Sequence, residues 1–182
     1  MTEVRSLKTP LTAEVCAGLR AGDMILLSGE VYTARDAAHG RLRESLRRGE
    51  ALPFPLEGGV VFYAGPAPAP PGRVIGSIGP TTSYRMDPCA PLLMERGLKG
   101  MIGKGKRSPE VIAAMQRYQA VYFGAIGGIA ALTSRCVRRA EVVAYPDLGP
   151  EAVLRLELVD LPVVVVNDTR GGDLYELARK DP

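Results

Sequence analysis

The sequence predicts a single α/β domain over residues 1–182, built in layers as a mixed sheet with flanking helices. Three observations predict it. Short apolar runs of strand length alternate with helical patterns along the chain. Helix-start signals separate them, the strongest being Ser108-Pro109-Glu110, with a cap, a proline at the first position and an acid in the first turn. Gly (21) and Pro (15) are frequent enough to punctuate the chain with turns.

Taken in order, Thr12 caps a short helix over Ala13–Leu19, with Glu14 in its first turn. Met24–Tyr32 reads as a strand, rich in Ile, Leu and Val. Thr33 and Asp36 have the spacing of a capping box, so a helix is expected from Ala34 to about Arg48, with Leu42 and Leu46 inward. Gly59–Tyr63 is a strand, and the proline-rich Ala67–Gly72 a stiff loop. Arg73–Ile78 reads as a further strand, stopped by Gly79-Pro80. A short helix over Ala90–Glu95 precedes a short strand that delivers Lys104. The Ser108 helix runs to about Gln116, and Val121–Phe123 is a strand. Gly124–Leu132 reads as a small-residue helix. Glu141–Tyr145, Val153–Val159 and Pro162–Asn167 complete the strands, the middle one alternating as a half-buried strand should.

The stretch with most chemistry is Gly79-Pro-Thr81-Thr82-Ser83-Tyr84-Arg85. Small hydroxyls beside a guanidinium fork suit a carboxylate or phosphate ligand. Arg35 is expected in the first turn of a helix, where the dipole disfavours a cation, and there it makes an anion seat. His39 falls four residues on and is read as a hydrogen-bonded structural residue. Lys104 stands between two glycines that let a ligand approach the backbone. Three cations at separate strand ends, with no strong base, make half of an active site for a small dianion. Gly100–Lys106 has the spacing of a phosphate loop, but Arg107 replaces the magnesium-binding hydroxyl, so the chain reads against nucleotide binding. That basic turn otherwise reads as surface.

Several classes are excluded. A net charge of +3 and 5% aromatics argue against nucleic acid. No apolar run approaches the ~20 residues of a membrane helix, and the N-terminus lacks a signal-peptide pattern, so a cytoplasmic protein is expected. Cys16, Cys89 and Cys136 stand alone with a single histidine, which gives no metal ligand set within this chain.

Thr33–His39, Tyr63–Pro66, Gly79–Asp87, Ile102–Gly105 and Gly124–Leu132 together resemble the β subunit of class I fumarate hydratase, and equally that of L(+)-tartrate dehydratase. The resemblance implies a swivelling β/β/α domain and a hydro-lyase acting on a small dicarboxylate, fumarate to malate first. The alternatives are tartrate to oxaloacetate, or a non-catalytic anion-binding assembly module. It implies a partner α subunit, in an α2β2 assembly, whose cysteines hold a 4Fe-4S cluster acting as Lewis acid. It implies Arg35, Arg85 and Lys104 on the substrate, and Thr81, with Thr82 beside it, at the reacting carbon. Asp36, His39 and Ser83 would support them. Tyr84 replaces the glycine of many fumarases, which leaves the choice of diacid open. No motif specifies self-association of the chain alone, although it is compatible with the reading.

Overall fold

The strand-length runs pair into one mixed sheet. In the computed structural model, which describes residues 4–125 and 130–180, there are seven strands. They are β1 (Val4–Lys8), β2 (Met24–Thr33), β3 (Val60–Phe62), β4 (Gly100–Gly103), β5 (Val121–Ala125), β6 (Val137–Ala144) and β7 (Val153–Asn167). Their order is β1-β2-β3-β4-β5-β7-β6. β1 through β5 run parallel to one another. β7 runs antiparallel to β5 and β6, and also to β2, from Met24 opposite Val164 to Tyr32 opposite Arg155. The last pairing closes β2, β3, β4, β5 and β7 into a barrel-like ring. Local pattern does not announce that closure, because it depends on one long strand reaching both edges.

Among the described residues six α-helices accompany the sheet: α1 (Ala13–Ala17), α2 (Asp36–Arg47), α3 (Ala90–Glu95), α4 (Pro109–Tyr118), α5 (Ala130–Arg135) and α6 (Leu174–Lys180). Thr12 and Ser108 cap α1 and α4 as their sequences require, accepting from the backbone N–H of Val15 and Val111.

Two cores lie on either side of β3–β5, and the alternation of side chains sorts residues between them. Val61, Tyr63, Met101 and Tyr122 face α2, α3 and α4, meeting Leu42, Leu93 and Met115. Val60, Phe62, Ile102 and Phe123 face inward toward Leu156, Leu158 and Val163 of β7. These strands are therefore apolar on both faces, as central parallel strands are.

Four expectations change. Arg73–Ile78 is not a strand: Ala67 N–H donates to Ser77 O at 2.9 Å, and the segment folds back on the proline-rich loop. A Cβ at Gly76 would come within 2.2 Å of Ala67 O, so only glycine permits the approach. Val153–Val159 and Pro162–Asn167 are one strand, bent where Asp160 takes φ 51°. Thr33 caps nothing; it ends β2, and its hydroxyl accepts from Leu154 N–H at 3.0 Å. Gly124 and Ala125 finish β5 and helix α5 starts at Ala130, while residues 126–129 of the expected helix lie outside the described residues. β1 was without a sequence signal of its own. Among the described residues no helix is long and apolar enough to cross a membrane.

A charged group sits inside the helix-side core. The Arg107 side chain is fully buried and its Nε donates to Asp87 Oδ1 at 2.7 Å. Its guanidinium carbon lies 5.2 Å from the Tyr63 ring centre and 4.9 Å from that of Tyr122. It also donates to Tyr63 OH at 3.2 Å. Asp87 Oδ2 in turn accepts from Ser108 N–H at 2.7 Å, at the start of α4. Asp87→Ala strands this guanidinium without its anion, which costs about 3–5 kcal/mol in such settings. Urea unfolding is expected to show a loss of that size, whereas a loss under about 1 kcal/mol would mean that Arg107 finds water on losing its partner.

Candidate active site

β2, β3 and β4 are parallel, so their carboxyl ends emerge at one edge, the edge where α/β folds present ligand sites. Thr33, Phe62 and Gly103 are the last residues of those strands. Arg35 follows β2 and Lys104 follows β4 directly, whereas Thr81, Thr82 and Arg85 lie on the long connection between β3 and α3.

After β2, Arg35 is the N-cap of α2, one residue ahead of the first turn where it was expected. Its side chain gives α2 no cap. Glu151, at the end of the 3-10 segment Pro146–Glu151, supplies one from a distance, with Oε2 accepting from Ala37 N–H at 3.3 Å. Glu151 Oε1 also lies 3.4 Å from Arg35 Nε, within ion-pair range but off hydrogen-bond alignment. The Arg35 stem rests on Gly65: a Cβ there would come within 3.0 Å of Arg35 Cδ and 2.7 Å of Pro150 O. Asp36 opens α2 and accepts from Arg85 Nε at 2.8 Å and from Arg85 Nη2, a bidentate pair, while Arg35 Nη2 lies 4.0 Å from the same carboxylate. Hydrogen bonding by Arg85 holds the Asp36 carboxyl below the usual carboxylate range. The two arginines thus meet across one aspartate, although 49 residues separate Asp36 from Arg85.

After β3 and β4 come the hydroxyls and the lysine. Thr81 N–H donates to Tyr63 O at 2.6 Å, and Pro80 bridges Ala64. Thr82 bridges Lys104, with Ser83 N–H donating to Lys104 O at 2.9 Å. Thr81 and Thr82 are half-buried and Lys104 is exposed. Arg35, Asp36, Thr81, Thr82, Arg85 and Lys104 therefore occupy one edge, linked through Asp36, Gly65 and the two short bridges.

Ser83 and His39 support that edge from below. Ser83 is fully buried, its Oγ 2.8 Å from Tyr122 OH, so it anchors the turn and does not present its hydroxyl to solvent. His39 is 4% exposed; its Nδ1 lies 2.9 Å from Arg35 O, and its ring edge meets Tyr63 at 5.3 Å between centres. A carbonyl only accepts, so Nδ1 carries the proton and Nε2 is left without a hydrogen-bond partner among the described residues. Burial pushes the imidazole down to about 4, so it is neutral. Tyr84 is 63% exposed and lines an open cleft of about 760 Å³ with Pro88, Pro91 and Lys106.

Sequence reasoning missed Glu151, Gly65 and Arg107. Glu151 follows a proline at the end of an irregular segment and carries no local signal. Arg107 stood in a run that reads as a basic surface turn, and only the facing tyrosines reveal it as buried.

An iron–sulfur cluster does not fit the residues present. Burial pushes the Cys16 and Cys89 thiols up to about 11, away from the thiolate form that ligation needs, and that of Cys136 upward too. Among the described residues no three His, Cys, Asp or Glu side chains group as a metal site.

Fold and edge together define an α/β domain that gathers two guanidinium groups, an ammonium and two threonines at the carboxyl ends of parallel strands and on the β3–α3 connection. The chain belongs to the Fumarase C-terminus family, whose model matches residues 2–178. It is 43% identical over 152 residues to a fumarate hydratase 1, mitochondrial, of Leishmania major, covering 82% of this chain and 28% of that one. It is 40% identical over 152 residues to the anaerobic class I fumarate hydratase of Escherichia coli, with coverage of 82% and 28%. It is 38% identical over 176 residues to a putative L(+)-tartrate dehydratase subunit beta of Methanocaldococcus jannaschii, covering 93% of this chain and 90% of that one. The chain thus spans little more than a quarter of the fumarate hydratases that it matches.

The neutral His39 has a consequence for stability. In the unfolded chain it takes a proton near the ordinary value of 6.5, and in the fold only near 4. Between those values the unfolded state binds more protons, so stability falls as pH drops from 6.5 toward 4. The loss is expected to be on the order of 3 kcal/mol. His39→Gln is expected to flatten that limb in urea melts run across the range; an unchanged slope would assign it to other groups.

Proposed function

We propose that this chain is the β subunit of an iron–sulfur hydro-lyase that interconverts fumarate and malate. The observation that carries the reading is the convergence of Arg35 and Arg85 on Asp36, beside Thr81, Thr82 and Lys104, in a member of the Fumarase C-terminus family. The three-layer arrangement, helices over a parallel sheet over antiparallel strands, supports a swivelling β/β/α domain. We further propose that the enzyme works in the cytoplasm and that its 4Fe-4S cluster belongs to a partner α subunit. The dispersed, protonated thiols here support that division.

On this reading Arg85 keeps Asp36 on Nε and Nη2 and offers its remaining Nη1 protons to a substrate carboxylate. Arg35 takes the other carboxylate, its stem seated on Gly65. Lys104 adds a point charge from the next strand end. Thr81 relays the proton at the carbon beside a carboxylate. Its hydroxyl is far too weak a base to act unaided, so the stronger base comes from the partner.

A second reading, the β subunit of L(+)-tartrate dehydratase, is favoured by the coverage of 90% of the Methanocaldococcus relative, which is itself named a subunit beta. A panel of hydroxy diacids offered to the chain co-expressed with its α subunit, under anaerobic conditions, separates the two. Malate is expected to be dehydrated best, and preference for tartrate would replace the first reading with the second. Arg85→Lys keeps the charge but loses the bidentate fork, so kcat/KM is expected to fall about a hundredfold with unaltered circular dichroism. Wild-type turnover by that variant would leave a non-catalytic anion-binding module as the better account.

A further inference from the structure

An apolar groove of about 380 Å³ adjoins the candidate site, lined by Ala67, Pro68, Val74, Val142, Pro150 and Leu154 among others. Val74 and Val142 are each 52% exposed. They come from unrelated elements: Val74 from the 73–78 segment that folds back on the proline-rich loop, and Val142 from β6, the last strand in the sheet order, which among the described residues pairs with β7 alone. Apolar side chains left in water on two elements that meet at one hollow mark a contact surface more than chance exposure does.

The groove is continuous with the site. Pro150, in its wall, precedes Glu151, whose carboxylate faces Arg35. Pro66, also in the wall, follows Gly65, on which the Arg35 stem rests. Anything that covers Arg35 from this side reaches the groove within a residue or two. The site itself is open, because Lys104 is exposed, Arg35 and Arg85 are only partly buried, and the carboxylates that the described residues bring to the edge, Asp36 and Glu151, are already engaged by arginines. The matched fumarate hydratases have nearly three-quarters of their length outside the matched region, since the match covers 28% of each.

We infer that the groove between the proline-rich loop and β6 is the seat of the α subunit, which inserts apolar side chains beside Val74 and Val142 and so brings its own groups over Arg35. The inference rests on the two-subunit reading above and names the surface by which it is met. The proline-rich loop suits such a role: its backbone is stiff before binding, so little conformational freedom is lost on docking.

The test titrates the purified chain with the α subunit, prepared anaerobically with its cluster, and reads the dissociation constant by analytical ultracentrifugation. Val142→Asp and Val74→Asp are each expected to raise it about tenfold or more. Leu92→Asp, exposed on α3 in the helical layer, is expected to change it less than about twofold. Thermal melts of each variant separate lost binding from lost folding, and Val142→Ser replaces the aspartate variant if that one melts early. Groove variants that bind like the wild type overturn the inference while the two-subunit reading stands. Failure of the wild-type chain to bind the α subunit overturns both. Self-association of the chain that the groove variants abolish, with α binding untouched, assigns the groove to a second copy and overturns it equally.

Discussion

The buried guanidinium of Arg107 is the constraint on which the candidate edge depends. It is flanked by the rings of Tyr63 and Tyr122 and closed by the Asp87 carboxylate. Each of those partners has a second obligation at the edge. Tyr63 offers its carbonyl to Thr81, Tyr122 holds the Ser83 hydroxyl and the Gly105 carbonyl, and Asp87 binds the first amide of the Ser108 cap. Removing a charge from water costs more than such a pair commonly returns, so the pair is a poor source of stability compared with an apolar filling. What it does is tie Asp87 down at the end of the 80–87 turn, the same turn in which Arg85 meets Asp36.

The charges at the edge follow a related logic. Arg35 and Arg85 both have carboxylates near them, Glu151 and Asp36, so the pair is not a bare positive patch. A bare patch would hold any anion and would leave long side chains free to move. The carboxylates fix the forks before a ligand arrives, and an already ordered fork loses less freedom on binding. Asp36 stays ionised because Arg85 lowers it, so this arrangement persists well below neutral pH. The neutral His39 beneath adds a donor to the Arg35 carbonyl without adding charge.

Much of the layered fold was legible in the sequence because its cues are local. Caps at Thr12 and Ser108, the alternation of Leu154–Leu158 and the apolar runs at Met24, Gly59 and Val121 all act within a few residues. The failures share a physical cause. Thr33 and Asp36 match a capping box in spacing, but Thr33 is held in β2 and its hydroxyl serves Leu154, so a pairing made 121 residues away overrides the local motif. Arg73–Ile78 has the apolarity of a strand, but the neighbouring prolines cannot donate to a ladder and Gly76 packs against their carbonyls. The ring closure by β7 and the burial of Arg107 depend on which distant residues become neighbours. The candidate arginines, threonines and lysine were legible for a different reason. They sit in short turn motifs whose composition is odd for a surface, and that oddness survives in one dimension.

On the proposed reading the placement of these groups explains why the chain offers half of a site. A parallel sheet brings several carboxyl ends to one edge, and the short connections after β2 and β4 place Arg35 and Lys104 there. Thr81, Thr82 and Arg85 reach the same edge from the longer connection between β3 and α3. These segments leave Lys104 exposed and the threonines half-buried. Excluding water from the reacting atoms therefore requires mass from elsewhere, which strengthens every electrostatic contact that the edge already offers. The ring of β2, β3, β4, β5 and β7 makes the platform stiff enough to be approached as a unit. On the reading proposed above, a rigid face of fixed cations would meet a second polypeptide that supplies base and metal, and assembly would be the step that completes the catalyst.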